Sequence, residues 1–299
     1  MKNGVPIVFL YRGNRNFIPY TLFQACRSNP DSRVILLGDR SNAHYKVVCE
    51  HYDCLHYLKY SKLLREVYKH KSQWGEDFEF VCIERWFILY EFMITHEIDK
   101  CVILDSDILI FSNLTSIRNS FPDHDMTWTG FSAHINFIDS ISALKQFCDF
   151  VFEVFSQHES YRNRLDMLYG RITSGAENGN ISDMSFFHDF NSRYPGRLHN
   201  LALEKDGCMF DITIEMDQGM EMDGKFKKII WNGKVPYAVN KVTKKLVRLH
   251  TIHFWTKDAI REFFVYSSFQ FALFSTWCGL ILFSQRLIRK LKLSRKPLT

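Results

Sequence analysis

No two of the eight cysteines form a C-x-x-C pair, and their spacing follows no regular framework. That excludes a zinc ribbon, a thioredoxin-type redox motif and a disulfide-stapled miniature fold. Cys82, Cys101 and Cys148 have apolar neighbours and read as reduced core residues of a cytosolic protein. The opening residues, Met1 to Pro6, lack the pattern of a secretory signal. There is no internal repeat and no low-complexity linker. The stretch Arg12-Gly13-Asn14-Arg15 falls short of the glycine-rich basic loop expected near the first strand of a nucleotidyltransferase. A net charge of +5 over 299 residues is modest, and no nucleic-acid partner is expected.

What the chain does have is apolar bulk: 46% apolar and 15% aromatic residues, with 27 phenylalanines. That is ample for a packed core and excludes a disordered chain. The length fits one large or two small domains.

The most informative stretch is Cys101-Val102-Ile103-Leu104-Asp105-Ser106-Asp107-Ile108-Leu109-Ile110-Phe111. Val102 to Leu104 reads as a buried strand, and two aspartates interrupt the apolar run. Buried carboxylates are costly unless paired or bound to a metal. Strand ends are also where open α/β sheets place their ligands. Extended geometry would point Asp105 and Asp107 the same way, with Ser106 facing away. Two converging carboxylates suit a hard divalent cation that keeps positions open for phosphate oxygens. The plain alternative is a pair of solvated turn aspartates.

Around this motif the pattern is α/β. Ile7 to Tyr11 is a first strand, Phe17 to Arg27 a helix, and Arg33 to Leu37 a second strand ending in Gly38-Asp39. That is a βαβ unit and implies a parallel pair. A short strand is expected within Val47 to Leu58, an exposed helix over Tyr60 to Lys71 and a buried helix over Phe80 to Thr95, with Arg85 inside it. After the aspartates, Asn113-Leu114-Thr115 reads as a turn. Met126 to Gly130 and His134 to Ile138 read as strands, and Ile141 to Phe155 as an amphipathic helix. Ile181 to Phe190 reads as a helix capped by Ser182. Glu204 to Asp223 is acidic and loop-like. Phe226 to Tyr237 reads as a hairpin around Asn232-Gly233. Val247 to Phe254 is a last strand carrying His250 and His253.

These residues, in this order, resemble the GT-A glycosyltransferases, in particular the glycogenin and bacterial LPS galactosyltransferase-like retaining family. The likeness covers roughly residues 5 to 257. It is carried by Tyr11, Asp39, Arg85, Asp105-Ser106-Asp107, Asp183-Met184, His253-Phe254 and Lys257. It implies a Rossmann-like nucleotide-binding sheet flanked by helices, with a second, smaller sheet. It also implies a cation, Mn²⁺ or Mg²⁺, on Asp105, Asp107 and His253. Mn²⁺ accepts carboxylate and imidazole alike, whereas Mg²⁺ prefers oxygen. The donor implied is a nucleotide-sugar, a UDP-sugar first, touched by Tyr11, Asp39, Asp105, Ser106 and Lys257. Asp183 and Arg85 take the catalytic positions. The activity implied is sugar transfer to a glycan or lipid-linked glycan, as in polysaccharide biosynthesis.

The chain departs from the family where His253-Phe254 runs into Trp255-Thr256-Lys257, without the usual glycine and Lys-Pro-Trp, and where Met184 stands for the usual glutamine. Residue by residue, other readings stay open. His250 competes with His253, Asp39 is also a turn residue, Tyr11 also a core residue, and Asp183 also a helix-start acid. Arg85 is either a structural ion pair or aimed at the donor. Alternative functions are a nucleotidyltransferase acting on a sugar phosphate and a membrane-docked scaffold whose site has lapsed.

Residues 259–299 are expected to form a separate segment after a catalytic domain of residues 1–258. Phe263 to Ser284 is a 22-residue run without formal charge. Six basic residues follow, from Arg286 to Lys296. The expectation is a helix lying in the interface, with the tail on anionic lipid headgroups at the cytoplasmic face. A spanning helix and a buried or dimer helix are the alternatives, and the oligomeric state is left open.

Overall fold

The computed structural model describes residues 2–120, 124–130, 132–156, 159–176 and 181–266, together with 271 and 276. It opens with the expected unit: β1 (Ile7–Leu10), α1 (Ile18–Ser28) and β2 (Val34–Gly38). β1 and β2 are parallel, with Ile7 opposite Val34. β3 (Glu50–Asp53) adds in parallel beside β2. Two helices follow, α2 (Lys59–Val67) and α3 (Glu76–Thr95). α3 starts ahead of its apolar run because Glu76, Asp77 and Glu79 fill its first turn, where acidic groups suit the helix dipole.

β4 (Cys101–Leu104) then lies parallel to β1 on the side away from β2. The chain turns at 105–107 and re-enters as β5 (Ile108–Ile110), followed by α4 (Leu114–Arg118) where a turn was expected, capped by the Asn113 side chain. Next come β6 (Met126–Trp128), β7 (Ile135–Ile138), α5 (Ile141–Ser156), α6 (Glu159–Thr173) and α7 (Asp183–Arg193). The Ser182 hydroxyl accepts the Met184 N–H at 3.3 Å, the cap expected for α7.

The remaining elements are strands: β8 (Leu198–Asn200), β9 (Cys208–Phe210), β10 (Met222–Asp223), β11 (Phe226–Lys227), β12 (Ile229–Asn232), β13 (Val235–Val239) and β14 (Leu246–His253). β12 and β13 make the hairpin expected at Asn232-Gly233.

The larger sheet has seven strands in the order β3-β2-β1-β4-β7-β6-β8. Its pairings are parallel from β3 to β4, and β7 is antiparallel to both neighbours. The second sheet runs β12-β13-β14-β5, with β9 beside β14. β4 and β5 therefore belong to different sheets, and the two aspartates sit in the turn between them. This is a mixed α/β architecture with a Rossmann-like half and a smaller second sheet.

One core packs α3, α5 and α7 on the large sheet and is centred on Trp86, Phe147, Phe187 and Phe190. The other packs α1 and the second sheet on its opposite side. Ala259 and Ile260 are buried in that second core, with Phe263, Phe264 and Val265 packed against it. That core thus continues past residue 258. Phe264 and Phe271 also meet Tyr20 of α1, at ring-centroid distances of 5.1 and 4.0 Å. The rest of the expected interfacial helix and the basic tail, residues 267–270, 272–275 and 277–299, lie outside the described residues. Among the described residues no helix is long and apolar enough to cross a membrane. The seven cysteines among them are all free; Cys101 and Cys148 are buried, and Cys82 is half-buried.

Candidate metal and nucleotide site

In an open sheet, ligands settle where neighbouring strands leave β1 in opposite directions. Here that crevice lies between the carboxyl ends of β1 and β4, because β2 is on one side of β1 and β4 on the other. Tyr11 and Arg12 leave β1, and Asp105 leaves β4, at its mouth.

The second sheet supplies the rest. β14 is antiparallel to β5, with His253 opposite Ile108. The pairing is extended by the Phe254 N–H, which donates to the Asp107 carbonyl at 3.2 Å. Strand register thus delivers His253 to Asp107 from 146 residues further along the chain. Asp105, Asp107 and His253 each offer a ligand atom, and these atoms lie within 4.8 Å of one another.

The hydrogen-bond pattern leaves a place for a cation. His253 Nδ1 lies 2.6 Å from the Ile212 carbonyl, which can only accept, so Nδ1 carries the hydrogen. Nε2 faces Asp107 Oδ1 at 3.6 Å. Among the described residues that buried oxygen has no hydrogen-bond donor. A buried carboxylate oxygen left in this way needs a positive partner, and Nε2 and Oδ1 are placed to share a cation. His134 stacks on His253, with centroids 4.4 Å apart and planes 10° from parallel. Burial pushes the His134 pKa far down, so it adds no competing charge.

Arg85, on α3, is largely buried and bridges two carboxylates. It pairs with Asp105 and, at 2.5 Å, with Asp183 at the start of α7. Asp183 also accepts the Trp86 indole N–H at 3.1 Å. Burial pushes the Asp105 carboxyl up to about 6, against the pull of Arg85. Burial by itself would lower Arg85, but Asp105 and Asp183 outweigh it and hold its pKa above the ordinary value. Lys257 Nζ reaches Asp107 Oδ2 at 3.2 Å and lies 5.6 Å from the Phe17 ring centroid.

Asp39 sits at the opposite wall. Its carboxylate accepts the N–H groups of Gly13 and Ser41, both at 2.7 Å. Although burial pushes it up, these bonds and the Ser41 hydroxyl hold its pKa below the ordinary value. Gly13 has φ +101°, which suits glycine. Asn42 locks the same loop by donating to the carbonyls of Tyr11 and Gly13 at 2.8 and 2.9 Å. A side chain on Gly38 would collide with Asn42 and His51, which explains the Gly38-Asp39 pair. Tyr11 is half-buried with its ring edge-on to Phe17 at 5.8 Å.

The structure thus gathers Arg85, Asp105, Ser106, Asp107, Asp183, His253 and Lys257, with Tyr11 and Asp39 on the loops of the adjoining strands. His250 is elsewhere. Its Nδ1 is 3.0 Å from the Ser112 hydroxyl, and burial pushes its pKa down to about 4. Asp105 and Asp107 converge for a different reason from the one expected: residues 105–107 form a turn, and Asp107 is aimed by its place next to β5. Sequence reasoning missed His134, Asp211 and Lys227. Nothing local distinguishes Lys227 from its exposed neighbours Lys225 and Lys228.

No family model matches the chain, and no curated protein matches it in sequence. Among solved structures it is similar to mouse xyloside xylosyltransferase 1 in its apo form, at 12% identity and a TM-score of 0.44, over 69% of this chain and 87% of that one. It is similar to the galactosyltransferase LgtC in complex with donor and acceptor sugar analogues, at 12% identity and TM-score 0.43, over 87% and 95%. It is also similar to apo WbbM, a bifunctional glycosyltransferase, at 11% identity and TM-score 0.48, over 92% of this chain but 52% of that one. With TM-scores below 0.5 these likenesses are distant, and the chemistry of the site is carried by its own geometry.

Proposed function

We propose that the protein is a glycosyltransferase that moves a sugar from a nucleotide-sugar to a glycan or lipid-linked glycan. The observation that carries this reading is the convergence of Asp105, Asp107 and His253 at the crevice between β1 and β4, with an unsatisfied Asp107 oxygen facing His253 Nε2. The donor set of two carboxylates and one imidazole fits Mn²⁺ better than Mg²⁺. When bound, such a cation supplies charge neutralisation for the diphosphate of the donor. The donor of first choice is a UDP-sugar.

The chain's own groups take the remaining tasks. The loops after β1 and β2, held by Asp39 and Asn42, offer Tyr11 as a face for the base and Asp39 as a neighbour of the ribose. Ser106, in the turn between the two aspartates, would meet the diphosphate. Lys257 sits beside Asp107, within reach of phosphate oxygens. Arg85, already bridging Asp105 and Asp183, orients Asp183 toward the transferred sugar and adds positive charge at the centre. The burial of Asp107, Asp183 and His253 limits water around them and strengthens their interactions. The basic residues from Arg286 to Lys296 support docking at the cytoplasmic membrane face, where lipid-linked acceptors would be met.

The test is release of free UDP or GDP from a panel of nucleotide-sugars with Mn²⁺ and a mixed glycan acceptor pool. Release is expected with one donor and should disappear in Asp107→Ala while thermal stability stays intact. Pyrophosphate production from a sugar phosphate and a nucleoside triphosphate would assign the protein to nucleotidyl transfer instead.

A further inference from the structure

Lys227 on β11 is fully buried, as is its partner Asp211. A buried lysine is rare unless its charge is met, and here all three donors are used. Nζ donates to Asp211 Oδ1 at 2.5 Å, to the Thr213 carbonyl at 2.7 Å and to Gln218 Oε1 at 2.6 Å. Three points of the 211–218 loop are thereby fixed to one atom.

That loop grips the end of β14. Asp211 Oδ2 accepts the His253 N–H at 3.2 Å, and the Ile212 carbonyl accepts from His253 Nδ1 at 2.6 Å. The Ile214 N–H donates to the His253 carbonyl at 3.0 Å. The Asp211 carbonyl, 3.0 Å from His134 Nε2, fixes the ring stacked on His253. Glu215 accepts the N–H groups of Trp255 and Thr256 at 3.2 and 2.7 Å, just before Lys257.

We propose that Lys227 and Asp211 form an internal strut that presents His253 Nε2 to the cation, making Lys227 a positioning residue for the metal site although it touches none of the ligand atoms. The inference rests on the reading of Asp105, Asp107 and His253 as cation ligands. Imidazole ligands need their second nitrogen fixed, and loss of such outer partners costs about 10–100-fold in metal affinity. Such partners are carboxylates, backbone carbonyls or waters. Here the contact is a backbone carbonyl, so the control passes to whatever holds the backbone.

The experiment uses Mn²⁺ alone on the full chain. Affinity is measured by calorimetry, and nitrogen coupling to bound Mn²⁺ by pulsed electron paramagnetic resonance. Wild type should show imidazole nitrogen coupling that His253→Ala removes. The double variant Lys227→Met/Asp211→Asn strands no charge. It should fold, bind Mn²⁺ about 10–100-fold more weakly and lose or weaken the nitrogen coupling. Lys227→Arg should restore part of both. Should the double variant fail to fold, Gln218→Ala carries the test, because it removes one Lys227 acceptor and the acceptor of the Ile212 N–H. Its expected effect is a several-fold loss of affinity with altered coupling. A folded variant with wild-type affinity and unchanged coupling overturns the strut and leaves the metal reading standing. A wild-type protein that binds Mn²⁺ without nitrogen coupling, or not at all, overturns the metal reading and the strut together.

Discussion

Arg85 and Lys227 are both buried cations held by carboxylates, and they are buried to opposite ends. Lys227 and Asp211 have no exposed side-chain surface, and every donor on the lysine is matched by the 211–218 loop. Arg85 bridges Asp183, which is nearly sealed, and Asp105, whose side chain keeps 31% exposure at the crevice. One pair is closed and can only hold. The other has an open end at which partners can be exchanged. Burial alone therefore says little about function; what separates the two is whether a carboxylate of the network faces a space that a ligand can enter.

The contrast is sharpest in stability. Lys227→Met leaves Asp211 alone in the core and should cost about 3–5 kcal/mol in urea unfolding, as expected for a broken buried pair. Arg85→Met should cost distinctly less, because Asp105 turns to water and Asp183 keeps Trp86. Equal losses would erase the distinction. Metal binding separates the two again. Arg85→Met removes a competitor for Asp105 and should leave Mn²⁺ affinity equal or higher in calorimetry, while nucleotide-sugar turnover collapses. The two histidines of β14 give a further comparison. His253→Ala should weaken Mn²⁺ by more than the about 10–100-fold lost with an outer partner, and His250→Ala should not. The reverse order would move the ligand role to His250.

A smaller effect follows from pH. The Asp105 carboxyl keeps its proton up to about 6, whereas an unfolded aspartate releases it near about 3.9. The fold without metal should therefore be favoured below that window and lose stability as pH rises through it. Cation binding needs the proton gone, so apparent Mn²⁺ affinity should fall about 10-fold per pH unit below 6. A flat profile from pH 5 to 7 would place the cation off Asp105. The mildest expected change concerns the C-terminal segment. High salt should strip only part of the full-length protein from anionic membranes, since screening weakens the basic tail but not apolar insertion. A truncation for this purpose should retain residues through Val265, because Ala259 and Ile260 belong to the second core.

Much of the framework was legible because parallel strands buried on both faces read as short apolar runs. Ile7 to Leu10, Val34 to Leu37 and Cys101 to Leu104 are of that kind. The Asp105–Asp107 pair was legible because carboxylates inside such a run are expensive. Their convergence was expected from strand alternation, but it arises from a turn, since sequence spacing does not reveal that one apolar run is shared by two sheets. α6 is polar over most of its length and left no core-facing stripe strong enough to read. Lys227 was invisible for another reason: its burial is created by the 211–218 loop, and long-range closure of that sort leaves no local periodicity.

The transfer of the chain from β4 to β5 has a mechanical side. Asp105 directly follows β4 of the first sheet, while in the second sheet Asp107 directly precedes β5 and His253 ends the adjacent β14. An ion held among them is a rivet through a seam, fastened to both plates at once. Loading it should slow hydrogen exchange in β1 and β4 and in β13 and β14 together, by one common factor, so that the two sheets breathe as a single body.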